Sequence, residues 1–243
     1  MTVSFESELA ATTNMRQGMA LVVNELRKSF ATEIEGGTIE VLRGVSFALA
    51  ASEVLAIMGA SGAGKSTLLH VFGGLENADE GSVRLYDFEI TRARQRALER
   101  FREREVGFVF QSHRLLPDLT ALENVQLPLR IGRISKTESV RRALAALDEV
   151  GLSDRSAHLV NRLSGGEQQR VAVARAVVKN PRLILADEPT GNLDADAATS
   201  VGELLVASAR TRAACVLIAT HNEQLAALCD RTLHLRNGKT SKV

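Results

Sequence analysis

A chain of 243 residues, 45% hydrophobic and 24% charged, can form one domain with its own core, or one domain carrying an inserted lobe. Its 30 Lys and Arg against 29 Asp and Glu leave a net charge of +1, and aromatics are 4% with no Trp. Neither a global basic field nor a stacking platform points to direct contact with nucleic acid.

The first 19 residues carry Ser, Thr, Glu and Asn without an apolar h-region, so they are expected to be a disordered tail and not a secretory signal. Residues 20–30 and 39–49 alternate partly and flank a turn-prone Glu-Gly-Gly at 35–37, which predicts a small antiparallel sheet. The apolar run 53–58 predicts a buried parallel strand, followed by a helix from about Gly64 to Phe72. Strands are predicted at 81–86 and 106–110. Between them, 91–105 is rich in Arg and Glu with Leu98 and Phe101 on one side. Contact with anionic lipid is one reading; a solvated helix of alternating charge is preferred.

Residues 120–180 read as helical. Val140, Leu144, Leu147 and Val150 recur at helical spacing and are expected to face a core. Strands are expected again at 182–187 and 214–219, with a helix between them. A last strand is expected at 231–236, ending at the turn signal Asn237-Gly238. Cys215 reads as strand core and Cys229 as helix packing, and two cysteines are too few for a disulfide framework. No histidine pair has metal-ligand spacing. No apolar run approaches the roughly 18 residues of a bilayer span. Apolar strands alternating with helices predict an α/β fold with a largely parallel sheet, into which a helical block at about 111–180 is inserted.

Two stretches carry chemistry. Gly59-Ala60-Ser61-Gly62-Ala63-Gly64-Lys65-Ser66-Thr67 lies between a strand and a helix, the setting a P-loop requires. Glycines let backbone N–H groups close around phosphate oxygens, and the helix start adds positive dipole. Lys65 is expected at the β- and γ-phosphates and Ser66 at Mg²⁺. Leu183 to Glu188 is an apolar strand ending in two carboxylates. Neighbours on a strand point to opposite sides, so Asp187 and Glu188 divide the labour. Asp187 is expected in the Mg²⁺ shell, and Glu188 as the group that orients and deprotonates the attacking water.

A third motif selects among P-loop proteins. Leu163-Ser164-Gly165-Gly166-Glu167-Gln168-Gln169-Arg170 opens a helix, and its serine, glycines and dipole make either a second anion site or an N-cap with a flexible lead-in. Together the three motifs resemble the ATPases of ABC transporters, over about Ala20 to Lys239. The resemblance implies a RecA-like P-loop NTPase core with an antiparallel β subdomain and a helical subdomain, forming an ATPase domain over 20–243. It implies ATP and Mg²⁺ as ligands and a head-to-tail homodimer in which Ser164, Gly165 and Gly166 bind the γ-phosphate held by the other copy. Gln111 matches the glutamine that touches Mg²⁺ and links to the membrane partner. Asp194, in Asn192-Leu193-Asp194, matches the loop that crosses to the opposite site. His221 matches the histidine on the γ-phosphate. Phe30 stands where the family has a Tyr against adenine, and offers the same π face. Ser52-Glu53 departs from the family's Gly-Glu ahead of the P-loop strand.

Within the family, Val109 to Val125, Leu185 to Asp194 and Gly73-Gly74-Leu75 are similar to the lipoprotein-release (LolD) and MacB-type group. That implies a peripheral subunit on the cytoplasmic face of the inner membrane, energising integral permease subunits with a periplasmic domain. The apolar Leu115, Leu116 and Pro117 beside Gln111 would either line a groove for such a partner or pack in the core. The alternatives are the FtsE and YbbA types, or a soluble ABC ATPase acting on nucleic acid or ribosomes. The stretch from Ser66 to Arg162 holds no heptad run of the kind chromosome-type members insert.

Overall fold

The computed structural model describes residues 19–32 and 37–242. The predicted tail, apart from Met19, and most of the predicted turn at 35–37 lie outside the described residues.

Two sheets form. The smaller is antiparallel, ordered β2-β1-β4-β5, from β1 (Met19–Ala31), β2 (Thr38–Ala50), β4 (Glu80–Leu85) and β5 (Phe88–Glu89). The larger is ordered β10-β9-β3-β8-β7-β6, from β3 (Val54–Met58), β6 (Val106–Phe110), β7 (Leu183–Asp187), β8 (Cys215–Thr220), β9 (Arg231–Arg236) and β10 (Lys239–Lys242). Its strands run parallel except β10, which pairs antiparallel with β9.

The parallel sheet is covered on both faces, which is why its strands read as continuous apolar runs. Alternation still sorts them. Leu183 and Leu185 of β7 join the core shared with the antiparallel sheet and α1 (Lys65–Phe72). Ile184 and Ala186 join the core on the helical side. That second core also takes residues of α3 (Ala121–Ile131), α4 (Lys136–Glu149), α5 (Gly165–Val177) and α6 (Ala195–Thr211). The remaining helices are α2 (Gln95–Glu105), with Leu98 and Phe101 buried, and the short α7 (Glu223–Ala227).

Three expectations are corrected. Residues 231–236 are not the last strand: Asn237 and Gly238, at φ 48° and 74°, turn the chain back into β10. Two successive left-handed residues are what a tight hairpin turn needs. Leu144 is 41% exposed, while Ala143 and Ala146 are buried in its place. Helix α4 packs against α3 and α5, and close approach of helices favours alanine over leucine at the contact. Met19 belongs to β1 and not to the tail.

At the Ser52-Glu53 departure, Ser52 takes the left-handed conformation a glycine would occupy more easily, at φ 65°. Glu53 holds the turn in shape: its carboxylate accepts the Ala50 N–H at 2.8 Å and pairs with Arg231 at 2.9 Å.

Candidate nucleotide site

The site lies at the C-terminal ends of the parallel strands. β3 delivers the chain into the loop 59–64, and α1 leaves it at Lys65. Gly64 caps α1 at φ 99°, and a Cβ there would stand 2.9 Å from Val41 Cγ1 and 3.1 Å from the Val41 carbonyl oxygen. Only glycine fits both the angle and the space. Gly59 is as constrained: its Cβ would lie 2.4 Å from the Leu235 carbonyl oxygen. No side chain caps α1, and its first turn has no acidic residue. Its orphan N–H groups and positive dipole end are therefore left for an anion.

A cavity of about 720 Å³ opens on this loop. It is lined by Phe30, Val41, Gly59, Ala60, Ser61, Gly62, Gly64, Lys65, Ser66, Thr67, Gln111, Asp187, Glu188 and His221. β1 and β2 supply Phe30 and Val41; the ends of β6, β7 and β8 supply the last four. Lys65 is 8% exposed, and its Nζ donates to the Gly59 and Ala60 carbonyls at 2.8 and 3.3 Å.

Glu188 sits at the centre of the polar groups. Its Oε1 lies 3.5 Å from Lys65 Nζ and its Oε2 lies 3.0 Å from His221 Nδ1. Oε2 also accepts the His221 backbone N–H at 3.2 Å. The Glu188 backbone is left-handed, at φ 45°, with its N–H on the Ala219 carbonyl at 2.8 Å. Strain of this kind persists where surrounding structure fixes it, and such places cluster at functional sites.

Asp187 Oδ1 is buried and has no hydrogen-bond partner. A buried carboxylate oxygen without a donor is costly unless something cationic or wet meets it. With the exposed Ser66 beside it in the cavity, this fits a hydrated Mg²⁺ arriving with a triphosphate. Among the described residues no group of three or more His, Cys, Asp and Glu could hold a metal by itself. The donors present thus suit a hard cation that shares its shell with phosphate and water.

Other predicted residues lie apart from this cavity. Ala63 packs against the core. Ser164 starts α5 in a capping box: its Oγ accepts the Glu167 N–H at 3.3 Å, and Glu167 Oε2 accepts the Ser164 N–H at 2.8 Å. That backbone bond holds the Glu167 carboxyl below its ordinary range. Gly165 and Gly166 face Leu193 and Ala197. Asp194 caps α6 by accepting the Ala197 N–H at 2.9 Å. The signature turn and the Asn192–Asp194 loop thus share a second polar end, outside the P-loop cavity.

Sequence reasoning missed Val41, which nothing in the β2 pattern marks. It also missed the reciprocal pair between Gln111 and Asn192, with Nε2 to Oδ1 at 3.1 Å and Nδ2 to the Gln111 carbonyl at 3.3 Å.

A strand-loop-helix phosphate cradle facing two strand-end carboxylates defines a P-loop nucleoside triphosphatase. Residues 42–191 match the family described as ABC transporter. The ATP-binding protein LolD of the lipoprotein-releasing system of Geobacter metallireducens is 46% identical, over 90% of this chain and 96% of its own. Its Porphyromonas gingivalis counterpart is 45% identical, over 90% and 98%. Among solved structures, the ATP-binding cassette MJ0796, a dimer in a post-hydrolysis state with ADP and Pi, superposes with a TM-score of 0.82. It is 36% identical, over 91% of this chain and 98% of its own. The chain belongs to the ABC transporter family and is an ATP-hydrolysing cassette of the LolD type.

Proposed function

We propose that the chain is the ATPase subunit of a lipoprotein-releasing type of transporter, working as a homodimer on the cytoplasmic face of the inner membrane beneath permease subunits. No helix among the described residues is long and apolar enough to cross a membrane, so in this reading anchoring falls to those partners.

The observation that carries the reading is the separation of the site into two ends. The cavity holds the P-loop, Glu188 and His221, while Ser164, Gly165, Gly166 and Asp194 stand outside it. One chain supplies the cradle, and the signature end is left to serve a second copy. In the capping box Ser164 and Glu167 hold each other at the start of α5, which fixes this end for the phosphate on the other copy. Gly165 and Gly166 let that phosphate approach the backbone.

Within the cradle, the loop N–H groups of 59–67 and Lys65 bind the phosphates, and Phe30 stacks on the base. Mg²⁺ would be held by Ser66, Gln111 and, through water, Asp187; when bound it neutralises phosphate charge. Glu188, held between Lys65 and His221, accepts the proton of the water that attacks the γ-phosphate in line. His221 donates to the γ-phosphate and orients Glu188. Positioning and charge neutralisation then supply most of the rate.

Glu188→Gln keeps the shape and removes the base. Its turnover should fall by roughly a hundredfold or more while ATP still binds. In that background, Ser61→Cys and Ser164→Cys should crosslink between copies only with ATP. Normal turnover, or no crosslink between copies, would defeat the reading.

A further inference from the structure

Helix α5 is bound to the loop that carries Gln111 by two polar side chains. Gln169 is fully buried at 0% exposure. Its Nε2 donates to the Phe110 carbonyl at 3.2 Å, and its Oε1 meets His113 Nδ1 in a short hydrogen bond. Further along the same helix, Arg175 donates to the His113 and Arg114 carbonyls, both at 2.7 Å. The contacts bracket Gln111 from both sides.

Two features mark this as more than incidental packing. Arg175 is half-buried, and desolvation lowers its pKa. Its guanidinium stays charged, and the carbonyls of this loop accept its hydrogen bonds. Further, His113 and Arg114 are consecutive non-glycine residues in the left-handed region, at φ 31° and 47°. Such residues are strained and need their surroundings to hold them. The Arg114 guanidinium also lies 4.0 Å over the Phe110 ring, which tightens the same turn.

We propose that Gln169 and Arg175 are positioning residues, which fix the backbone around Gln111 so that this loop and the Ser164 end of α5 move as one piece. On its other side Gln111 is paired with Asn192, two residues from Asp194. The loop facing a chain's own ATP is thereby tied to both elements offered to the other copy's ATP. The proposal rests on the role given above to Gln111.

The test uses the full-length protein with its permease. Gln169→Met conserves volume and removes both bonds. Arg175→Lys keeps the charge but cannot fork across two carbonyls. Amide hydrogen exchange over 111–116 should quicken roughly tenfold in Gln169→Met, and less in Arg175→Lys, with the P-loop amides unchanged. kcat should fall roughly tenfold with the ATP dissociation constant within about twofold. The double variant Gln111→Ala/Gln169→Met should be no slower than Gln111→Ala, because Gln169 acts through Gln111. Unchanged exchange over 111–116 would overturn the proposal, as would losses in the double variant that multiply. Wild-type turnover by Gln111→Ala, with faster exchange in Gln169→Met, would instead remove Gln111 from the reaction and take the positioning role down with it.

Discussion

The starts of α1 and α5 present the same chemistry to solvent in opposite states. α1 follows a glycine-containing loop and α5 opens on two glycines, and both offer N–H groups and a positive dipole end. α1 begins at Gly64 with no side-chain cap and no acid in its first turn. α5 begins with Ser164 and Glu167 locked in a reciprocal box. The difference fits the tasks proposed for them above. A cradle that wraps a triphosphate needs all its donors, and a capping carboxylate there would compete with phosphate for them. An end that touches only the outer phosphate of a neighbour's nucleotide needs a fixed shape, and its own cap supplies it.

The comparison breaks most sharply if α1 is given a cap. Gly64→Asp places a carboxylate on the first-turn amides and forces a Cβ into the left-handed position against Val41. ATP affinity should fall by roughly a hundredfold or more, from about 1–3 kcal/mol of strain plus charge repulsion. Calorimetric titration reads this out. Gly64→Ala separates the causes, since it carries the crowding without the charge and should lose less.

A smaller effect is expected on removing the cap from α5. Glu167→Ala frees the Ser164 N–H and should cost about 1 kcal/mol of stability, within the range of N-cap losses. Thermal unfolding measures it. Because Ser164 loses half its restraint, the ATP-dependent crosslink between Ser61→Cys and Ser164→Cys should weaken as well. An undiminished crosslink would show that the signature end needs no cap of its own.

How much of this could be read from the chain alone depended on how local the chemistry is. The P-loop, the Asp187-Glu188 strand end and the Ser164 turn each sit within a few residues, so each is legible as a motif. α4 misled because large apolar residues were followed while the tight helix contacts had chosen Ala143 and Ala146. β10 was hidden by its polar sequence, Lys-Thr-Ser-Lys, which an edge strand tolerates once a turn sets its register. The bonds from Gln169 and Arg175 to the Gln111 loop span about sixty residues of chain, and no spacing rule reports contacts of that range.

The smallest expected effect sets the two helix starts against pH. The Ser164 N–H, donating to Glu167, holds that carboxyl below its ordinary 4.5. The folded protein therefore binds this proton less readily than the unfolded chain does. The cap's stabilisation is complete above the ordinary value and drains away as pH falls through the lowered folded value. The first turn of α1 holds no acidic residue and no side-chain cap to lose. Acid should thus loosen the first turn of α5 before the first turn of α1. In hydrogen exchange near pH 4 and below, corrected for intrinsic rates, the 165–168 amides should lose protection relative to 65–68. Glu167→Gln, which keeps an acceptor but no titrating proton, should abolish that differential loss. If the wild-type and Glu167→Gln profiles coincide, the carboxylate is not what fixes the start of α5.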